Sequence, residues 1–68
     1  MDFTDIINLF PSMSALAREM KVPYVNVKRW RQRNFIPCEH WFSLIKAARK
    51  WELPFITAEV LVMLARIR

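Results

Sequence analysis

The sequence lacks glycine entirely and has a single cysteine, Cys38, among its 68 residues. A β protein with tight turns needs glycine where φ is positive, so this absence favours helices. One cysteine allows no intrachain disulfide, so the fold must rest on its apolar core. No apolar run approaches the ~20 residues of a membrane span, and the acidic start MDFTD is unlike a secretory signal. We therefore expect a cytoplasmic protein that does not enter a membrane.

The residue patterns of catalytic and metal sites are also absent. Cys38 and His40 lie two positions apart, a spacing at which helical side chains do not face each other. No Cys/His cluster has metal-ligand spacing, and there is no carboxylate pair, phosphate-cradling loop or nucleophile motif. We expect no enzymatic activity, no metal, no cofactor and no small-molecule substrate. Cys38 is then a small buried residue and His40 a surface or interface residue.

Positive charge is what the sequence has in excess. Eleven Lys and Arg residues against six Asp and Glu give a formal net charge of +5. Lys28, Arg29, Arg31 and Arg33 lie close together around Trp30. Such a basic excess indicates a polyanionic partner, either nucleic acid or an anionic membrane surface. A membrane-surface peptide needs its cations and apolar groups segregated along one long helix, which four prolines prevent here.

Apolar residues recur at helical spacing in five segments, which predicts a compact all-α bundle of about five short helices. The predicted helices cover about residues 3–10, 13–21, 23–33, 37–51 and 58–67. Their caps are Asp2 or Thr4 for the first, Ser12 or Ser14 for the second, and Thr57 for the fifth. Residues 53–56 are expected to form an extended linker, because Pro54 disfavours a helical Leu53. Residues 1–68 are expected to form one domain.

A turn of about three residues separates the second and third predicted helices, which is the length found in a helix-turn-helix unit. On a wheel of ~100° per residue, Val27 and Trp30 define the buried side of the third helix. The opposite, exposed side carries Val25, Lys28, Arg29 and Gln32, with Tyr24 on its flank. Arg31 and Arg33 point toward the edges and the helix end. Cationic and hydrogen-bonding groups therefore share one exposed face that fits a DNA major groove.

Residues 13–32 resemble the helix-turn-helix motif of the lambda repressor and Cro-like family. The family pattern has apolar residues, with a small alanine among them, at six core positions. These positions hold Leu16, Ala17, Met20, Val22, Val27 and Trp30. One departure is Lys21, which occupies a turn position that is usually a left-handed glycine and costs about 1 kcal/mol there. Residues 33–65 resemble the later helices of small phage-type repressors more loosely, through the stretch NFIPCEHWFSLIKAA.

The resemblance implies which residues contact double-stranded DNA. Base contacts are implied for Tyr24, Val25, Lys28 and Arg29. The exposed Arg31, Gln32 and Arg33 are better placed for phosphates, and Ser12 and Ser14 at the start of the second helix offer a further phosphate contact.

The last predicted helix, about residues 58–67, leaves almost no polar face. A helix this apolar must be covered on most sides, and a chain this short cannot wrap it fully. It is expected to contribute to the core or to a homodimer interface, the latter through Phe55, Ile56, Leu61 and Leu64. In a dimer, two recognition helices would meet successive major grooves ~34 Å apart on a roughly palindromic operator.

The sequence therefore predicts a sequence-specific DNA-binding regulator, most simply a Cro-like repressor that blocks a promoter as a dimer. The family resemblance suggests a bacterial or phage source. The alternative is a protein–protein adaptor or antitoxin-type partner that keeps the fold without DNA binding. The apolar last helix suits that alternative, and the Lys28 and Arg29 face argues against it.

Overall fold

The computed structural model describes residues 1–67, and throughout them the fold is all-α, as expected. The chain measures 27 × 24 × 19 Å along its principal axes. The helices are α1 (Phe3–Asn8), α2 (Met13–Met20), α3 (Tyr24–Arg33), α4 (Trp41–Lys50) and α5 (Ala58–Arg66), with a 3₁₀ turn at Cys38–His40 before α4. None of the helices within the described residues has the length and apolar character needed to span a membrane.

Short polar side chains begin three of the helices. Asp2 accepts a hydrogen bond from the N–H of Asp5, and the Asp5 side chain accepts one in return from the N–H of Asp2. Ser12 caps α2 and Thr57 caps α5 in the same manner, through the N–H groups three residues later. Each cap satisfies an N–H that the helix itself leaves without a partner, and contributes about 1 kcal/mol.

Three helices end in a left-handed residue although the chain has no glycine. These residues are Lys21 after α2, Asn34 after α3 and Glu52 after α4, with φ of 59°, 56° and 57°. After each one, the next N–H returns to a carbonyl of the last helical turn, as Leu53 does to Ala48 at 2.8 Å. This closure usually takes glycine, because a Cβ costs about 1–2 kcal/mol in the left-handed region.

The core lies where α1, α2, α3 and α4 meet, and α5 closes it. All of its buried residues are hydrophobic. The fully buried large side chains are Phe3, Ile6, Ile7, Leu16, Val27, Ile36, Leu44, Ile56 and Leu61. Aromatic contacts extend this core, since Phe3 packs on Phe35 and on Trp41 with ring centroids 5.4 and 6.4 Å apart. The Trp41 indole Nε1 donates to the Ile36 carbonyl at 2.7 Å, which satisfies its polar atom.

The structure differs from several of the sequence-based expectations. Helix α1 ends at Asn8, before Phe10, and the segment after Pro37 begins as a 3₁₀ turn rather than as α-helix. Residues 53–56 form a turn rather than an extended linker, because the N–H of Ile56 bonds the carbonyl of Leu53 at 3.2 Å. Cys38 is exposed and not buried, since it lies in the 3₁₀ turn ahead of the α4 core face.

Candidate nucleic-acid interface

Helices α2 and α3 are joined by the short turn of residues 21–23. Lys21 adopts φ 59° and ψ 43°, and the following N–H of Val22 bonds the Ala17 carbonyl at 3.0 Å. Pro23 then precedes the first turn of α3 with extended backbone. The buried Leu16, Ala17 and Met20 of α2 face the core beside α3. The turn and the small Ala17 together allow the two helices to pack closely.

The inner side of α3 is anchored by two apolar side chains. Val27 is fully buried and Trp30 is 6% exposed. The Trp30 ring also lies 4.7 Å from the ring of His40, so the 3₁₀ turn covers it. This confirms the predicted buried side of α3 and fixes which of its residues face outward.

The outer side of α3 carries the residues predicted to contact DNA bases. Tyr24 and Val25 are 46% and 51% exposed, which is high for side chains of their size. Lys28 and Arg29 are exposed on the same side, together with Gln32, which is predicted to contact a phosphate. We call these five residues the α3 face. Nothing in the core requires Tyr24 or Val25 to be apolar, so their exposure leaves them available to a ligand.

The two charged residues of the α3 face, Lys28 and Arg29, are both positive. Within residues 1–67, no acidic side chain pairs with Lys28, Arg29 or Arg33. Glu19 in α2 is instead paired with Lys50 of α4, at 2.7 Å between Nζ and Oε1. That exposed pair contributes little to stability, but it pairs the Glu19 carboxylate with a cation of α4 and not with one of α3.

Two of the predicted phosphate-contact residues have structural partners. The Arg31 Nε donates to Asn8 Oδ1 of α1 at 3.0 Å, which holds the guanidinium beside α1. Ser12 accepts from the N–H of Ala15 at 3.0 Å as the cap of α2. Ser14 lies exposed in the first turn of α2, and Arg33 is exposed at the last turn of α3. Ser12 and Ser14 therefore both lie at the N-terminus of α2, and their contact with a phosphate stays a prediction.

A polar clamp between α1 and the end of α3 was not foreseen from the sequence. The N–H of Thr4 donates to Asn34 Oδ1 at 2.9 Å, and the Thr4 hydroxyl donates to the Arg31 carbonyl at 2.9 Å. With the Arg31 to Asn8 bond, three hydrogen bonds join α1 to the C-terminal turn of α3. No local pattern signals them, because the partners lie 23 to 30 residues apart in sequence.

The expected homodimer residues need correction. Ile56, Leu61 and Leu64 are 2%, 0% and 9% exposed within the single chain, so they belong to its core and are not available to a second copy. Helix α5 turns Leu61 and Leu64 inward, and Ile56 is buried in the segment that precedes α5. Phe55, at 46% exposed, remains at the surface. The other large exposed apolar residues of this region are Val62, Met63 and Ile67.

In comparisons with known proteins, no protein-family model, curated protein or solved structure matches the chain.

Proposed function

We propose that this protein binds double-stranded DNA in a sequence-specific manner, with α3 in the major groove. The observation that carries the proposal is the α3 face, an exposed and acid-free surface on a helix anchored by Val27 and Trp30. A helix of ten residues is about 15 Å long, and the major groove admits a helix of this kind. The lambda repressor and Cro-like resemblance of residues 13–32 supports the same docking.

Each residue of the interface has a proposed role. Lys28 and Arg29 donate to guanine O6 and N7, and Val25 contacts a thymine methyl group. Tyr24 contacts a base edge or a phosphate. The remaining residues, Ser12, Ser14, Arg31, Gln32 and Arg33, contact phosphates and orient the protein without reading sequence.

The regulatory consequence is repression by occlusion. A Cro-like homodimer on a roughly palindromic operator would block RNA polymerase at a promoter in a bacterial cell. Two recognition helices then lie ~34 Å apart, in successive major grooves. A molecule of 27 × 24 × 19 Å is compatible with this spacing when two copies lie side by side. Because Ile56, Leu61 and Leu64 are buried, the dimer contact is assigned instead to Phe55, Val62 and Met63.

An adaptor or antitoxin-type role is the second candidate. The exposed apolar side chains of α4, α5 and the turn between them favour it, because aromatic residues and methionine are enriched at protein interfaces. The two candidates respond differently to charge reversal at Arg29. DNA binding is lost under the first, whereas activity is untouched under the second.

Mapping by nuclear magnetic resonance tests the proposed surface without knowledge of the operator. A mixed-sequence duplex is added to the isotope-labelled chain, and the backbone amides that shift are located. We expect the shifts at Tyr24–Arg33 and at the start of α2. Arg49→Ala in α4 is the control. It removes one positive charge outside the α3 face, and the same amides should still shift when the duplex is added. Shifts confined to α4 and α5 would contradict the proposal.

A further inference from the structure

A groove lies between α4 and the segment that leads into α5, elements that contribute nothing to the α3 face. It encloses about 590 Å³. Its apolar walls include Phe42, Ile45, Pro54 and Ile56, and Lys46 and Arg49 stand among them. We call this the α4–α5 groove. A groove of this size accepts several large side chains of a partner.

The groove exposes an aromatic side chain that the core does not use. Phe42 is 72% exposed, more than any other aromatic residue of the described chain. The helical phase of α4 explains why, since Leu44, Ala47 and Ala48 face the core. Phe42 and Lys46 lie one turn apart on the outer face, with the Lys46 ammonium 5.4 Å from the ring centroid. An aromatic group exposed beside an apolar groove is a typical anchor point for a binding partner.

The charge of the groove selects the chemistry of that partner. Lys46 and Arg49 are both exposed, and within residues 1–67 neither makes an ion pair. No acidic residue lines the groove in this part of the chain. Thr57 and Ala58 at one end form the N-terminus of α5, where the helix dipole also favours negative charge. Apolar walls flanked by cations are complementary to apolar side chains flanked by carboxylates.

A second copy of this chain is a poor occupant of the α4–α5 groove. A two-fold contact sets the same patch of each copy against the other. The basic patch with Lys46 and Arg49 would therefore face the same basic patch of the other copy, and like charges at an interface are costly. The chain as a whole also carries a net charge of +5, so a second copy has few acidic groups to place against Lys46 and Arg49.

We propose that the α4–α5 groove docks an acidic amphipathic helix of a different protein, with apolar side chains against Phe42 and carboxylates against Lys46 and Arg49. This is the helix-in-groove mode of recognition, in which residues at three- and four-residue spacing enter the groove. The proposal does not depend on DNA binding. The residues that line the groove include none of the α3 face.

Two synthetic peptides test the proposal on the full chain. Each has roughly 16 residues, long enough to form helix, with leucine and phenylalanine at helical spacing. One carries glutamate at its polar positions and the other carries lysine. Titration of the isotope-labelled protein, followed by nuclear magnetic resonance, locates the amides that shift and gives the dissociation constant. We expect the acidic peptide to bind, with shifts at residues 42–49 and 54–58, and the basic peptide to bind at least about tenfold more weakly.

Charge reversal supplies the matched variants. Lys46→Glu with Arg49→Glu should weaken the acidic peptide at least about tenfold and strengthen the basic one. Lys28→Glu with Arg29→Glu makes the same change of net charge on the α3 face and should leave peptide affinity unchanged. All four side chains are exposed, so both variants keep the fold.

Several outcomes would overturn the proposal. Equal binding of both peptides, equal loss in the two double variants, or shifts outside the groove would each remove the basis for an acidic partner. Sedimentation that shows a dimer dissociated by Phe42→Asp, together with no peptide binding, would assign the groove to a second copy.

Discussion

The side chain of Asn34 accepts a hydrogen bond from the backbone N–H of Thr4 at 2.9 Å, while Asn34 itself adopts φ 56° and ψ 44°. One residue therefore ends α3 with a left-handed turn and satisfies an N–H at the start of α1. Asparagine suits both tasks, because it tolerates the left-handed region and has a short polar side chain. This pair fixes α1 against the C-terminal turn of α3, where Arg31 and Arg33 lie.

Substitutions at Asn34 should separate its two contributions. Asn34→Gly keeps the left-handed backbone and removes the hydrogen bond, so we expect a loss of about 1 kcal/mol in the free energy of unfolding. Asn34→Ala removes the bond and also the short polar side chain that lets asparagine tolerate the left-handed region, for a loss of about 2–3 kcal/mol. Urea denaturation measures both. Equal losses in the two variants would mean that the left-handed conformation carries no strain.

Glycine at the other two left-handed positions should stabilise the protein. Lys21→Gly and Glu52→Gly relieve the Cβ strain at φ 59° and 57°, and each should raise the free energy of unfolding by about 1 kcal/mol. Lys46→Gly is the control, since it places glycine inside α4 and should cost about 1 kcal/mol. The midpoints of denaturation of the three variants are compared with that of the unmodified protein. A Glu52→Gly protein that is less stable than the unmodified one would contradict the left-handed conformation of residue 52.

Much of the fold could be predicted from helical periodicity alone. The spacing of Val27 and Trp30 fixed the inner side of α3, and the proline and cap residues placed most helix boundaries within two residues. The left-handed Lys21 was foreseen through the family resemblance. These features are local, so one sequence contains the information that determines them.

The errors arose where packing over long sequence distances decides the outcome. The apolar α5 was expected to contribute to the core or, through Leu61 and Leu64, to a dimer interface, and both side chains lie in the core of the single chain. The hydrogen bond between Thr4 and Asn34 was not predicted, because the sequence around each residue contains no signal that the two residues meet. The exposure of Phe42 follows from the phase of α4, which begins only after the 3₁₀ turn.

Trp30 should be essential for the fold, whereas Val25 should not. Trp30→Ala opens a cavity beneath α3 and should cost about 3–5 kcal/mol in the free energy of unfolding. Val25→Ala alters a half-exposed side chain and should change stability by less than about 0.5 kcal/mol. Thermal denaturation followed by circular dichroism compares them. A Trp30→Ala protein that melts like the unmodified one would place the buried side of α3 elsewhere.

Arginine substitutions should distinguish base contacts from phosphate contacts. Arg29→Ala should weaken binding to a specific duplex by about 1–3 kcal/mol and relax the base preference at one position. Arg33→Ala should weaken all sequences alike and reduce the slope of affinity against salt by about one unit. Fluorescence anisotropy over a range of salt concentrations measures both effects. Unchanged specific affinity in Arg29→Ala would mean that the α3 face is assigned to the wrong residues.

The corrected dimer surface predicts different effects for neighbouring residues of α5. Met63→Asp adds charge to a side chain that is 64% exposed, so it should dissociate a dimer and leave the monomer folded. Leu61→Asp buries a charge in the core and should unfold the chain. Sedimentation and circular dichroism together separate the two results. A dimer that survives Met63→Asp would move the contact away from the exposed side of α5.

Selection of bound sequences from a random duplex pool at ~150 mM salt tests sequence-specific recognition most directly, because nonspecific electrostatic binding is weak at that ionic strength. We expect an enriched motif with two-fold symmetry and half-sites separated by about one helical turn. Enrichment of no sequence, with binding that disappears as salt rises, would contradict sequence-specific recognition and favour the adaptor role.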